Sequence, residues 1–126
     1  MQIGQITKAL EEWAPLSFQE EYDNCGLLVG NHQTICTGIL CSLDCTEAVI
    51  DEAVEKGCNL IVSHHPIIFK GLKQFDESHY VARTVRKAIQ QNIAIYAIHT
   101  NLDNLLEGVN KTCLLYTSPS PRDAHE

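Results

Sequence analysis

Two adjacent histidines followed by a proline, Ser63-His64-His65-Pro66, are the residues of this chain best suited to chemistry. Neighbouring residues on a regular strand point to opposite faces. A pair that serves one centre must therefore sit where a strand breaks, and Pro66 ends the ladder there. Imidazole suits zinc, iron, nickel and copper, and carboxylates suit manganese and magnesium as well. Adjacent rings could face two metal ions, one each. A mixed His/Asp set then fits a two-metal site that makes a hydroxide and polarises a substrate oxygen. The competing reading is a strand-end pair that caps backbone groups. Asp44-Cys45-Thr46 and His99-Thr100-Asn101-Leu102-Asp103 carry the same residue types. Asp44 before Thr46 is also an ordinary helix start. His99 could orient a ligand or substrate, or be a satisfied, half-buried histidine. Asp23-Asn24 reads as a turn. His32, His79 and His125 fall in polar or terminal stretches and read as solvated surface.

These residues need a scaffold, and hydrophobic periodicity supplies one. Ile3, Ile6, Leu10 and Trp13 recur at helical spacing until Pro15. The turn Asp23-Asn24-Cys25-Gly26 leads into a strand, Leu27-Leu28-Val29, closed by Gly30 and Asn31. A mostly apolar strand over 38–43 follows. Thr46 caps a helix with Val49, Ile50, Ala53 and Val54 on one face and Gly57 at its end. Leu60-Ile61-Val62 is the next strand. A polar loop with Gly71 and Asp76 leads to a helix over 80–91, with Val81, Val85, Ala88 and Ile89 inward. A strand over 93–98 comes last. Apolar strands alternating with amphipathic helices predict β-α-β units on a mainly parallel sheet. Ligands of such sheets bind beyond the carboxyl ends of the strands. Asp44, His64 with His65, and His99 with Asp103 follow three successive strands, so all should share one edge.

Composition bounds the rest. A chain of 126 residues that is 44% hydrophobic and 20% charged reads as one globular domain. A net charge of −7 argues against a direct nucleic-acid binder. Apolar runs are too short to span a bilayer. The first residues, Met1-Gln2-Ile3-Gly4-Gln5, enter a helical pattern with no secretory signature, which points to the cytoplasm. The six cysteines include no C-x-x-C pair. They read as reduced, small hydrophobes, with Cys41 inside an apolar run. Residues 113–126 have no usable periodicity and resemble translated sequencing-adapter read-through, with a Ser/Pro-rich flexible terminus as the alternative. The genuine sequence is therefore expected to be 1–112, part of a larger natural chain.

Five motifs in order carry a resemblance: Trp13-Ala14-Pro15, Asp23-Asn24-x-Gly26-Leu27-x-Val29-Gly30, Leu43-Asp44-x-Thr46, Ser63-His64-His65-Pro66-x-Ile68-Phe69 and His99-Thr100-Asn101-x-Asp103. The set resembles the amino-terminal half of the GTP cyclohydrolase 1 type 2 family, the Nif-three-like dinuclear metal-centre proteins, as far as Gly108-Val109-Asn110 and about Lys111. The resemblance implies a three-layer α/β/α fold with a mixed, mainly parallel sheet. It also implies two divalent metal ions per subunit, not distinguishable among zinc, iron, manganese and nickel, and a toroidal homo-hexamer. His64, His65 and Asp103 match the family's metal ligands in this half, and His99 matches a site residue with a catalytic role. A late His and Glu complete the family's site, and His125-Glu126 do not match that pair. The activity implied is hydrolysis of a nucleotide or another phosphorylated small molecule, such as GTP ring opening. The alternative is a non-catalytic metal-binding or regulatory scaffold, whose acidic charge fits protein contact. No Gly-rich phosphate loop is present. Lys70 and Lys73 are the basic candidates near the His pair, with a solvated loop as their default reading.

Overall fold

The computed structural model describes residues 1–107. Expectations for Gly108-Val109-Asn110, for 113–126 and for His125 lie outside the described residues. Helix α1 (Ile3–Trp13) opens on a reciprocal cap between Gln2 and Gln5 and stops at Ala14. Pro15 then starts a short 3-10 turn, Leu16–Phe18. Strand β1 (Gly26–Val29) and strand β2 (Ile39–Ser42) follow. Helix α2 (Glu47–Lys56) starts at Thr46, whose hydroxyl accepts from the Val49 N–H, and ends at Gly57 in the left-handed conformation. Strand β3 (Leu60–Ser63), helix α3 (Tyr80–Gln90) and strand β4 (Ala94–Ala97) complete the alternation. Residues 100–107 are helical. His79 is exposed, as a turn residue should be, and its ring also caps α3 by accepting from the Val81 N–H.

The sheet runs β1-β4-β3-β2. β2 pairs with β3 and β3 with β4 in parallel, while β1 lies antiparallel on β4. This is the mixed, mainly parallel sheet expected. Side chains alternate across it. Ile61 and Ile95 point to one face and pack with Ile50 and Ala53 of α2 and Ala88 of α3. Leu60, Ala94 and Tyr96 point to the other, with Ile3 and Ala14 against them and Leu102 and Leu105 of the last helix alongside. Helices therefore cover both faces, and the result is three layers. Among the described residues no helix is long and apolar enough to cross a membrane.

Edges of the apolar stripes depart from the expected pattern. Trp13, Val54 and Ile89 are exposed, at 55%, 47% and 57%. Thr7 and Ala14 of the first helical segment are buried instead, as are Ala82 and Thr84 in α3. Each helix sinks a narrower arc than its hydrophobic residues span, so small residues at the contact replace large ones at its rim. Cys25, Cys36, Cys41, Cys45 and Cys58 carry free thiols. Cys45 is buried, and that burial pushes its thiol up to about 11. Cys41 is exposed because β2 is an outer strand: Ile39 and Cys41 share the face of Leu60 and Val62 but lie at its margin, outside the core cluster there.

Among the described residues Gly26, Gly30 and Gly57 have positive φ, and the last two need it for different reasons. Gly57 has φ 71° and open space where a Cβ would go, whereas Gly30 has φ 118° and would place a Cβ 2.6 Å from the Ala94 Cβ. Gly57→Ala should cost about 1–2 kcal/mol of conformational strain. Gly30→Ala adds a core clash and should cost about 2–5 kcal/mol. Urea unfolding of the two variants checks that order.

Candidate metal centre

The ladder of β3 continues for two residues beyond Ser63 on one side. The His64 N–H donates to Ser42 O at 3.1 Å and the His65 N–H to Leu43 O at 2.9 Å. Ser63 Oγ donates to His65 O at 3.0 Å, folding the chain back at the residue before Pro66. The regular pleat is lost there, and the two neighbouring rings turn toward one place. His64 and His65 have ring centroids 5.2 Å apart. His99 joins them from the end of β4, at 5.0 Å from His64 and 5.4 Å from His65. One nitrogen from each ring lies within 4.8 Å of the others. Three parallel strands thus bring their carboxyl ends to one edge, and the three histidines meet as a cluster.

Each histidine is held through Nδ1 by an oxygen. His64 Nδ1 lies 2.8 Å from Ile98 O. His65 Nδ1 lies 2.6 Å from Asp44 Oδ1. His99 Nδ1 lies 3.0 Å from Asp23 Oδ2. A carbonyl and two carboxylates can only accept, so Nδ1 carries the proton in all three rings. Nε2 keeps its lone pair in the neutral imidazole. Metal-binding histidines characteristically have this outer-shell arrangement. Asp103 stands on the first turn of the last helix, where its N–H and that of Leu102 donate to His99 O. Its Oδ1 is 3.5 Å from His64 Nε2, beyond an ordinary hydrogen bond but beside the cluster. A cleft of about 360 Å³ opens next to His65 and is lined by Asp44, Thr46, Pro66, Ile67 and Tyr80. A second, mainly apolar cleft of about 390 Å³, lined by Ile3, Val29 and Ile93, contains none of the cluster.

The sequence profile of the family described as Duf34/NIF3 (NGG1p interacting factor 3) matches residues 1–116. This chain belongs to that family. It is 40% identical over 110 residues to a Clostridium acetobutylicum protein named GTP cyclohydrolase 1 type 2 homolog, covering 87% of this chain and 41% of the relative. A Staphylococcus aureus protein of the same name is 46% identical over 110 residues, with 87% and 30% covered. The chain therefore spans well under half the length of these curated relatives. Among solved structures, S. aureus protein SA1388 superposes with a TM-score of 0.79 at 46% identity, over 82% of this chain and 33% of that one. Reduced HcgD from Methanocaldococcus jannaschii gives 0.75 at 29% identity, over 82% and 41%. The family expected from the five motifs is the family found.

In this NIF3-family chain the least visible site residue is Asp23. Its side chain has no exposed surface, although the residue sits in a turn. It accepts from the Thr100 N–H at 3.0 Å, the Thr100 hydroxyl, the Cys25 thiol at 3.1 Å and His99 Nδ1. Burial would push its carboxyl up, but the bonds from Thr100, Cys25 and His99 outweigh it and hold the carboxyl well below the usual range. The Cys25 thiol is pushed up by burial and by the Asp23 carboxylate. Asn24 Nδ2 donates to Ile68 O at 2.7 Å and ties this turn to the loop after the His pair. Asp44, the other carboxylate support, is 59% exposed. Asp23→Asn should therefore cost about 1–3 kcal/mol, because an amide brings a donor against the Thr100 donors. Asp44→Asn should stay within about 0.5 kcal/mol. Chemical denaturation of the metal-free variants measures both, and equal losses would contradict the assigned burial.

Proposed function

We propose that His64, His65 and His99, with Asp103 beside His64, form this chain's share of a dinuclear divalent-metal centre in a hydrolase. Its substrate is a nucleotide or another phosphorylated small molecule. One observation carries the reading: three Nε2 lone pairs are freed by three Nδ1–oxygen bonds in rings gathered on one sheet edge. The donor set fits the group, since imidazole nitrogens with a carboxylate suit zinc, iron, nickel and manganese. Bound ions would supply a nucleophile from water at neutral pH and polarise a substrate oxygen.

The chain's own residues divide the remaining work. Ile98 O, Asp44 and Asp23 fix the orientation and tautomer of the three rings. His64, His65 and Asp103 are the metal-holding set. His99 is the residue assigned to orient the substrate or move a proton, with its ring fixed by Asp23 Oδ2 at 3.0 Å from Nδ1. The setting that goes with this reading is a cytoplasmic, toroidal homo-hexamer.

Metal analysis of purified wild type, paired with nucleotide turnover, tests the proposal. His64→Ala and His65→Ala should reduce bound metal to background. Asp23→Asn and Asp44→Asn should weaken metal affinity about 10–100-fold. Turnover should fall in parallel with metal content. Metal loss without turnover in any protein would favour the scaffold reading, and full metal retention in His64→Ala would sink the centre.

A further inference from the structure

Two large aromatic side chains stand exposed on the two loops that carry the centre. Tyr22 immediately precedes Asp23, the support of His99, and Phe69 closes the segment that begins at His64. They are 64% and 46% exposed. Their ring centroids are 6.3 Å apart, tilted by 43°. The bond from Asn24 Nδ2 to Ile68 O joins the adjoining residues, so the pair is set by a backbone anchor between the loops. An aromatic pair is normally a place to bury 150–250 Å² per ring, and here that surface faces outward. Lys70, next to Phe69, and Lys73 are exposed cations in a chain of charge −7. Glu21 adjoins Tyr22 on the other side, which leaves the Phe69 end as the cationic end of the platform.

We infer that Tyr22 and Phe69 form the stacking platform for the planar heteroaromatic ring of a nucleotide substrate, with Lys70 at its phosphate. The inference rests on the metal-centre reading, because it narrows that site's substrate to a compound with an aromatic base. Continuity with the site supports this occupant. Asp23 and the His64–Phe69 segment carry both the centre and the platform, so the two stand on the same pair of tied loops. Stacking tolerates any base, and ring-face contact with little hydrogen-bonding apparatus suits a site without a Gly-rich phosphate loop.

Three probes separate base from phosphate: guanosine monophosphate, guanosine and ribose 5-phosphate, each titrated calorimetrically into purified protein whose metal content is measured in parallel. Wild type should bind the nucleotide at least tenfold tighter than ribose 5-phosphate. Tyr22→Ala and Phe69→Ala should each weaken the nucleotide and the nucleoside about tenfold, with ribose 5-phosphate and metal content unchanged. Phe69→Trp should restore binding. Lys70→Met should weaken both phosphorylated probes and spare guanosine. Equal affinity for nucleotide and ribose 5-phosphate overturns the platform, as does wild-type nucleotide binding by both alanine variants. A change of oligomeric state in those variants, with nucleotide affinity intact, assigns the pair to contact between copies and also overturns it. Base preference in a wild type that holds no metal would instead remove the metal-centre reading and leave the platform standing.

Discussion

A buried carboxylate holds the site and much of the sheet together. Asp23 lies in the turn before the antiparallel strand β1, and its partners His99 and Thr100 lie just after β4. An ionised group without exposed surface is costly unless its oxygens are filled, and here backbone, hydroxyl, thiol and imidazole donors fill them. The bonds that stabilise Asp23 therefore also bring the loop before β1 over the carboxyl edge of the parallel strands. Asn101 adds a second tie by donating to Ala14 O at 2.9 Å, and Thr100 Oγ1 accepts from the Glu20 N–H. The Asp23 cluster thus adds polar ties at that edge to the antiparallel ladder that already joins β1 to β4.

The parallel strands set the rest of the geometry. Their side chains alternate between two helical layers, so neither face has room for polar chemistry. Only the strand ends are free, and the ladder registers Ser42 with Ser63 and Ser63 with Ala97. That register puts Asp44, His64, His65 and His99 at one level. Ser63 closes the geometry from below: it is fully buried, and its hydroxyl turns the chain at His65 so that adjacent residues share one centre. The small serines at the strand ends leave room for the imidazoles above them.

How far the sequence disclosed this depends on how local each signal is. The strands, the Thr46 cap, the Gly57 stop and the break at Pro66 are written within a few residues of where they act, and they were legible. The gathering of Asp44, His64, His65 and His99 was legible too, because β-α-β order alone fixes which loops share an edge. Asp23 was hidden. As a residue of Asp-Asn-x-Gly it has a sufficient local explanation as a turn, and its partners are 76 and 77 residues away. The rims of the helices were hidden for a related reason. Trp13 and Ile89 satisfy the helical period, but the positions that sink are the smaller Thr7, Ala14, Ala82 and Thr84, which only the packed partners decide. Cys41 looked buried because its run is apolar, and only the strand order shows that β2 lies on the outside.

The three ring supports are not equivalent, and the difference bears on how the site divides its labour. Ile98 offers His64 a neutral carbonyl, whereas His65 and His99 each face a carboxylate. A carboxylate accepts a charge-assisted bond from Nδ1–H, stronger than the one a carbonyl accepts. Exposure then separates the two carboxylates. Asp44 is solvated, where the effective dielectric is high, while Asp23 has no exposed surface and sits where it is lower. His99 is also the least exposed of the three rings. His64 and His65 are adjacent on one strand end and present their rings 5.2 Å apart. His99 differs from them in reaching the cluster from another strand and in being held by a carboxylate without exposed surface.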